Sequence, residues 1–563
     1  MGRENRRTSG EDNNGTVNAS TREALSFILS YVRRHLWAVS AGVAVLMSVD
    51  ALQILIPRIV QGIIDALGKE SFSNQLILSR TLLILALAMG MVVLRFLWRL
   101  FILGSSWKIE REVREDMFGH LQRLGFSFFN RTQTGHLMAL MVNDVNAVRM
   151  ATGLSFLALT DALFMGALSL GFMLSINPRL TLFAVAPLPC IVLMITRFGP
   201  LIQERFKAVQ AGFSDISTRT QEAFSGIRVV KGYVQERPET RGFEETCDAY
   251  VDRNLALIRI WGFFFPAVTL FANLATAILY LVGGREVMAG ALSFGEFVAF
   301  SMYLGLLIWP VIAIGWVVTL LQRGIASAKR ILEVMKQELD VRGPEPPDEP
   351  RGGGLVSPRR VSGRIDLQGV SFCYDQEQRY VLRDVTLSVP AGASAGIMGK
   401  PGSGKSTLIS LLFRLFPLRE GRILLDGVPV ERIPLDVLRR SIGYVPQDPF
   451  LFSDTVEKNI AFGLDEHDPD EVARYARIVD MDEEIRSFTR GYRTLVGERG
   501  VTLSGGQKQR LSIARALMVH PRILVLDDAL SSVDAETEQK VLARVREEMR
   551  GRTMIIISHR VST

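Results

Sequence analysis

Six stretches of the chain stay apolar for about 20 residues, the length a helix needs to cross the hydrocarbon of a bilayer. They run over residues 36–60, 78–103, 152–176, 180–198, 261–282 and 294–321. A soluble domain gives its helices one apolar stripe each, and six all-apolar helices would leave it no polar face to show water. The first half is therefore expected to be an all-α, six-span membrane domain. The 563 residues average a mean hydropathy of +0.21 with 22% charge, and that average hides a division. The apolar runs stop near residue 322, and from about residue 342 the chain reads as a soluble α/β domain.

The connections between runs alternate in length. Ile176-Asn177-Pro178-Arg179 reads as a tight turn and residues 283–290 as a short loop, whereas 104–150 and 199–258 are long, polar and helix-prone. The long ones carry Lys108, Arg111, Arg114, Arg123 and Arg131, then Arg205, Lys207, Arg228, Lys231 and Arg237. Positive charge marks the cytoplasmic side of a bilayer, so these loops and, with an even number of spans, both termini are expected there. Continued as helices, each loop becomes a hairpin reaching roughly 30 Å from the membrane at 1.5 Å per residue. Phe128-Phe129-Asn130-Arg131-Thr132-Gln133-Thr134-Gly135 reads as one tip, and Lys231-Gly232-Tyr233 lies near the other.

Residues 1–21 are polar and read as a disordered cytoplasmic tail without the pattern of a cleavable signal peptide. A net charge of +7 raises the question of nucleic acid, but no basic stripe interleaved with aromatics appears and no such partner is expected. Cys190, Cys247 and Cys373 have no metal-ligand spacing. Asp50, Arg58, Arg95, Arg99, Asp161 and Arg197 fall in or at the ends of spans. Arg58, Arg99 and Arg197 can snorkel to the interface. Asp50 and Asp161 lie deeper and call for a wet cavity, a substrate path or a structural partner such as Arg95.

A Pro- and Gly-rich segment, Gly343 to Gly354, marks the boundary between halves. The division expected is 1–21 tail, 22–335 membrane domain, 336–361 linker and 362–563 soluble domain. In the last, Gly399-Lys400-Pro401-Gly402-Ser403-Gly404-Lys405-Ser406-Thr407 follows an apolar strand at 393–398 and opens a helix, the context of a phosphate-binding loop. Its glycines let backbone N–H groups turn inward around phosphates, and the helix N-terminus favours the anion. Lys405 would reach the outer phosphates of ATP and Ser406 would hold Mg²⁺. A second apolar strand at 523–526 ends in Asp527-Asp528, where a carboxylate can hold the metal and its neighbour can orient the attacking water. Between the two lies Leu503-Ser504-Gly505-Gly506-Gln507, opening another helix.

With these motifs in this order, the sequence resembles an ABC transporter half of the exporter type over nearly its whole length. The resemblance implies that Ser504, Gly505, Gly506 and Gln507 form the signature motif, which meets ATP held by the opposite subunit. It implies that Tyr374 stacks on adenine, that Gln447 senses Mg²⁺ and couples to the membrane helices, and that His559 is the switch on the γ-phosphate. Ser531-Ser532-Val533-Asp534 resembles the loop through which two ATP sites communicate, and Glu498-Arg499-Gly500 the segment touching the partner's cytoplasmic loops. The implied cofactors are ATP and Mg²⁺. The implied partners are a second half-transporter, the bilayer of the cell membrane, and an amphipathic drug, lipid or peptide moved outward by alternating access. An ATP-gated channel or a regulatory nucleotide-binding subunit is the alternative from another class, and a lipid flippase a variant within the first.

Two departures stand out. The family places glutamate after the strand-end aspartate, and this chain has Asp528. A side chain one methylene shorter stops roughly 1 Å from where the base belongs, and misplacement of that order costs about a hundredfold in rate. Slow hydrolysis on this subunit's own phosphate loop is expected, with an intact signature completing a partner's site. That combination resembles heterodimeric multidrug-type exporters with one degenerate site. The resemblance also implies a strand pair and helix beyond Thr563.

Overall fold

The computed structural model describes residues 20–67, 74–340, 361–374, 379–497 and 503–558. The expected tail, except Ser20 and Thr21, and most of the expected linker lie outside them. The chain forms two compact units, residues 1–122 with 134–337, and residues 123–133 with 338–563.

The first unit is helical throughout. A short helix α1 (Thr21–Arg34) begins at a capping box in which Ser20 Oγ accepts from the Glu23 N–H while Glu23 accepts from the Ser20 N–H. That pairing satisfies two of the donors a helix start leaves open. Six long apolar helices follow: α2 (Leu36–Leu67), α3 (Asn74–Arg123), then, beyond a one-and-a-half-turn helix α4 (Phe126–Arg131), α5 (Thr134–Ile176) and α6 (Pro178–Ser225). After another short helix, α7 (Ile227–Gly232), come α8 (Glu236–Met288) and α9 (Phe294–Met335). On α3 the side chains of Leu82, Leu85, Met89, Val92, Val93 and Phe96 are exposed. An apolar helix that turns such residues outward is built for lipid, not water.

The helices outrun the apolar runs, because the hydropathy signal stops where the bilayer does and the helix does not. Helix α3 continues 20 residues past Leu103, about 30 Å of rise, and α5 begins at Thr134, well before the run at 152. Both expected tips carry short helices. The tight turn at 176–179 works through Asn177, whose Oδ1 accepts from the Leu180 N–H, with Pro178 at the first helical position, where its missing N–H costs nothing. Helix α9 is the buried centre of the unit. Phe300, Tyr303 and Leu304 are fully enclosed, Tyr303 stacks on Phe172, and its hydroxyl donates to the Ile54 carbonyl at 3.2 Å. Beyond the apolar zone, charge pairs replace apolar contacts. Asp144 of α5 accepts from Ser327 and Arg330 of α9, and Glu110 of α3 pairs with Arg149 of α5 at 2.9 Å.

The second unit is the expected α/β domain. An antiparallel sheet runs β2-β1-β4-β5, with β1 (Ile365–Phe372), β2 (Leu382–Val389), β4 (Glu420–Leu425) and β5 (Val428–Pro429). A parallel sheet runs β3-β8-β7-β6, with β3 (Ser394–Met398), β6 (Ile442–Val445), β7 (Ile523–Asp527) and β8 (Thr553–Ser558). Strand β7 is buried at every residue, as a central parallel strand covered on both faces must be. Helices α10 (Lys405–Leu412), α11 (Gly505–Met518) and α12 (Ala535–Glu548) pack with these sheets. The unit also takes in the tip helix α4, where Phe126 meets Phe416 edge-on at 5.8 Å. No apolar pattern in the sequence marks that grouping.

Candidate active site

Parallel strands bring their C-terminal ends to one edge, and ligands of such sheets bind there. Met398 pairs with Ser558, Asp527 with Ile557 and Leu526 with Val445. The register therefore carries Gly399, Asp528 and the Pro446-Gln447 turn to the same edge. Sequence reading named all three separately; sheet order gathers them.

The phosphate loop keeps its shape through glycines. Gly402 and Gly404 have φ of +77° and +89°, the left-handed region that side chains disfavour. A Cβ on Gly404 would also stand 2.8 Å from Leu382 Cδ2. Lys405 Nζ donates to the carbonyls of Gly399 at 2.8 Å and Lys400 at 3.1 Å, so the lysine lies along the loop it serves. Ser406, next on α10, lies beside the Asp527 carboxyl. Asp527 is buried, and burial raises its pKa above the usual carboxylate range; the Ser406 hydroxyl opposes that rise and neighbouring Asp528 adds to it. Thr407 Oγ1 lies 2.7 Å from the Tyr374 hydroxyl. The Tyr374 ring meets Phe372 and Phe416 edge-on.

Asp528 turns out of the strand with φ of +48°, and its N–H donates to the Ile557 carbonyl at 2.9 Å. An aspartate tolerates this left-handed geometry better than a branched or bulky residue. Gln447 lies just past β6 and is exposed. His559 and Glu498-Arg499-Gly500 lie outside the described residues.

The Ser504–Gln507 segment is a capping box. Ser504 Oγ accepts from the Gln507 N–H at 3.2 Å, and Gln507 Oε1 accepts from the Ser504 N–H at 2.8 Å. Helix α11 therefore starts at Gly505, inside the Leu503–Gln507 segment. Glycine is required at 506, where a Cβ would stand 2.8 Å from the Ser532 carbonyl oxygen. Sequence reading missed the residue that holds these two loops together. Gln509 donates to Ser531 Oγ at 2.9 Å and accepts from the Ser532 N–H at 2.9 Å, clamping the 531–534 loop to the signature helix. Arg510 donates to the Asp480 carbonyl and to Glu484, both at 2.6 Å. Arg515 was also missed. It donates to the Asn459 carbonyl at 2.7 Å and the Phe450 carbonyl at 2.8 Å, fixing the segment that follows Gln447, and burial brings its pKa down to about 10. A glutamine and an arginine on a helix carry no local mark of such roles.

Residues 39–311 match the ABC transporter transmembrane region, and residues 382–531 match the ABC transporter family. The chain is 38% identical to the multidrug resistance-like ATP-binding protein MdlA of Escherichia coli, covering 94% of this chain and 89% of that protein. It is 38% identical to the probable multidrug resistance ABC transporter ATP-binding/permease protein YheI of Bacillus subtilis, over 92% and 88%. The ATP-dependent lipid A-core flippase of Chromohalobacter salexigens is 32% identical over 97% and 92%.

Proposed function

The chain belongs to the ABC transporter family, as an exporter subunit with six membrane-spanning helices and an ATP-binding domain, and we propose that it moves amphipathic molecules outward in partnership with a second half-transporter. The domain division proposed is the one given above, 22–335, 336–361 and 362–563, with both termini and the ATP-binding domain in the cytoplasm. The observation that carries the reading is the single edge of the parallel sheet, where Gly399, Gln447 and Asp528 converge.

ATP on the phosphate loop would be held by backbone N–H groups from Gly402 to Thr407 and by Lys405 once its Nζ leaves the carbonyls of Gly399 and Lys400. Tyr374 would stack on the base. The hydroxyl of Ser406 beside the buried carboxylate of Asp527 is a pair of hard oxygens that suits Mg²⁺, with Gln447 as a further oxygen donor. Held by Ser406 and Asp527, the ion would supply charge neutralisation at the phosphates. Asp528 is the proposed base and His559 the proposed contact to the γ-phosphate. Ser504, Gly505, Gly506 and Gln507 serve ATP bound by the partner. Nucleotide domains closed on two ATP molecules would move the hairpins tipped by α4 and α7, and closure is a population shift set by ATP's preference for the closed state.

The substrate class rests on the apolar bundle and on the relatives' names, two of them multidrug and one a lipid flippase. The heterodimer reading rests on Asp528, whose short arm suits a site that holds ATP and on an intact signature that suits a partner's site. ATP-driven uptake of ethidium and of a fluorescent phospholipid into inverted vesicles, blocked by vanadate, tests export. Flux that ATP opens but cannot drive uphill, indifferent to vanadate, would instead identify a gated channel.

A further inference from the structure

The side chain of Gln507 is engaged at both ends. Its Oε1 accepts from the Ser504 N–H at 2.8 Å, and its Nε2 donates to Glu484 Oε2 at 2.8 Å. Glu484 sits on the short helix Asp482–Ser487, outside the signature, and sequence reading gave it no role. Its other oxygen, Oε1, accepts from Arg510 at 2.6 Å. One half-buried carboxylate thus takes two donors that lie three residues apart on α11.

A capping box needs only an acceptor at its third helical position, and glutamate serves there as well as glutamine. Glutamate at this place would set two carboxylates face to face. Only an amide can accept from the cap N–H and donate to Glu484 at once, so the glutamine of the signature follows from Glu484. Arg510, 9% exposed, brings the opposite charge to the same carboxylate through a charge-assisted bond. The pair is then neutral beside a segment proposed to receive a phosphate anion.

The same residues close a ring. Arg510 also donates to the Asp480 carbonyl, and the Asp480 carboxylate accepts from Arg544 of α12 at 2.9 Å. Helix α12 follows directly on Asp534, the end of the loop that Gln509 clamps back to α11. Signature and loop are therefore held as one body, with Ser504 and Gly505 exposed on it.

We propose that Glu484 is a positioning residue of the ATP site completed on the opposite subunit. Through Gln507 it sets the angle at which Ser504 and the start of α11 meet the outer phosphate, and through Arg510 it ties that angle to the 531–534 loop. That role rests on the reading that the signature serves ATP bound by a partner. Glu484 acts through Gln507 and not on the nucleotide, so its loss slows turnover and leaves ATP affinity alone.

The assembled transporter in lipid nanodiscs provides the test, with its two subunits distinguished on a gel by a tag and photoreactive azido-ATP as probe. Glu484→Gln keeps the size of the side chain and sets amide against amide at Gln507. Its kcat should fall by at least about tenfold with KM within about twofold, the mark of an interaction made only in the transition state. Vanadate-trapped label on the partner's phosphate loop should fall in step. Labelling of this chain's own loop without vanadate should hold, and it reports that the variant has folded. Gln507→Glu alone brings two carboxylates together and should lower kcat as well. The two substitutions combined exchange donor and acceptor, and the double variant should exceed either single one by at least about fivefold. Wild-type kcat in Glu484→Gln overturns the proposal, as does a loss carried by KM or a double variant no better than the single ones. Trapped label that vanishes from this chain instead of its partner condemns the shared-site reading and leaves Glu484 positioning a site within one chain.

Discussion

The carbonyl oxygen of Ser532 lies 2.8 Å from the point where a side-chain carbon on Gly506 would stand. The signature helix and the 531–534 loop thus meet backbone to backbone, and Gln509 locks the meeting from both sides. Gly506→Ala should push the loop off the helix. A shift of even about 1 Å at a reacting geometry costs around a hundredfold, so ATPase activity of the assembled transporter should fall by at least tenfold. ATP binding to the same chain's phosphate loop, measured with a fluorescent ATP analogue, should hold. Wild-type turnover in Gly506→Ala would refute the tight meeting.

Tyr374 has two jobs that substitutions separate. Its hydroxyl meets Thr407 Oγ1, a neutral hydrogen bond worth about 1 kcal/mol net, and its ring offers a stacking face. Tyr374→Phe keeps the ring and should change ATP affinity by no more than about fivefold. Tyr374→Ala removes the stack as well, worth about 1–3 kcal/mol, and should weaken binding by about 5- to 150-fold, beyond the loss in Tyr374→Phe. Equal losses in a nucleotide titration would show that the ring is core and not platform.

The buried Asp527 gives a pH signature. Its pKa is raised in the folded chain, so the folded state holds a proton that the unfolded state has released in the window above the ordinary carboxylate value of about 3.9. Stability of the nucleotide-free protein therefore falls as pH rises through that window. Asp527→Asn removes the cost and should melt higher than wild type at neutral pH, with the gap closing toward pH 4. Mg²⁺ with ATP should stabilise the wild type and do little for the variant. A gap that stays constant with pH would count against the buried charge.

Phe126 packs on Phe416, which in turn touches the ring of Tyr374. Phe126→Ala should lower transport per ATP hydrolysed while basal ATPase stays within about twofold, as expected when a contact is lost away from the reacting groups. Parallel loss of both activities would place Phe126 in folding instead of coupling.

How much of this was legible in the sequence depended on whether a residue's role is written in its neighbours. The phosphate loop declares itself because Gly402, Gly404 and Lys405 do their work within one turn. The spans declare themselves because hydropathy is a sum over contiguous residues. The extension of α5 back to Thr134 was less visible, since outside the bilayer a helix needs only a stripe. Gln509 was silent, because its partners Ser531 and Ser532 lie more than 20 residues on. Asp50 and Asp161 were each readable as costly, with Arg95 the natural partner for either. Arg95 instead donates to Gln53, three positions along α2 from Asp50, a choice that only the packing of α2 against α3 decides.

The account of the site turns on Asp528, and the direct test is Asp528→Glu in the assembled transporter at saturating ATP. The side chain begins from a left-handed residue anchored by its N–H to Ile557, so the added methylene should carry the carboxylate toward the attacking water. ATPase should rise, by up to about a hundredfold at this site. Unchanged turnover would contradict the short-armed base and with it the unequal pair of ATP sites.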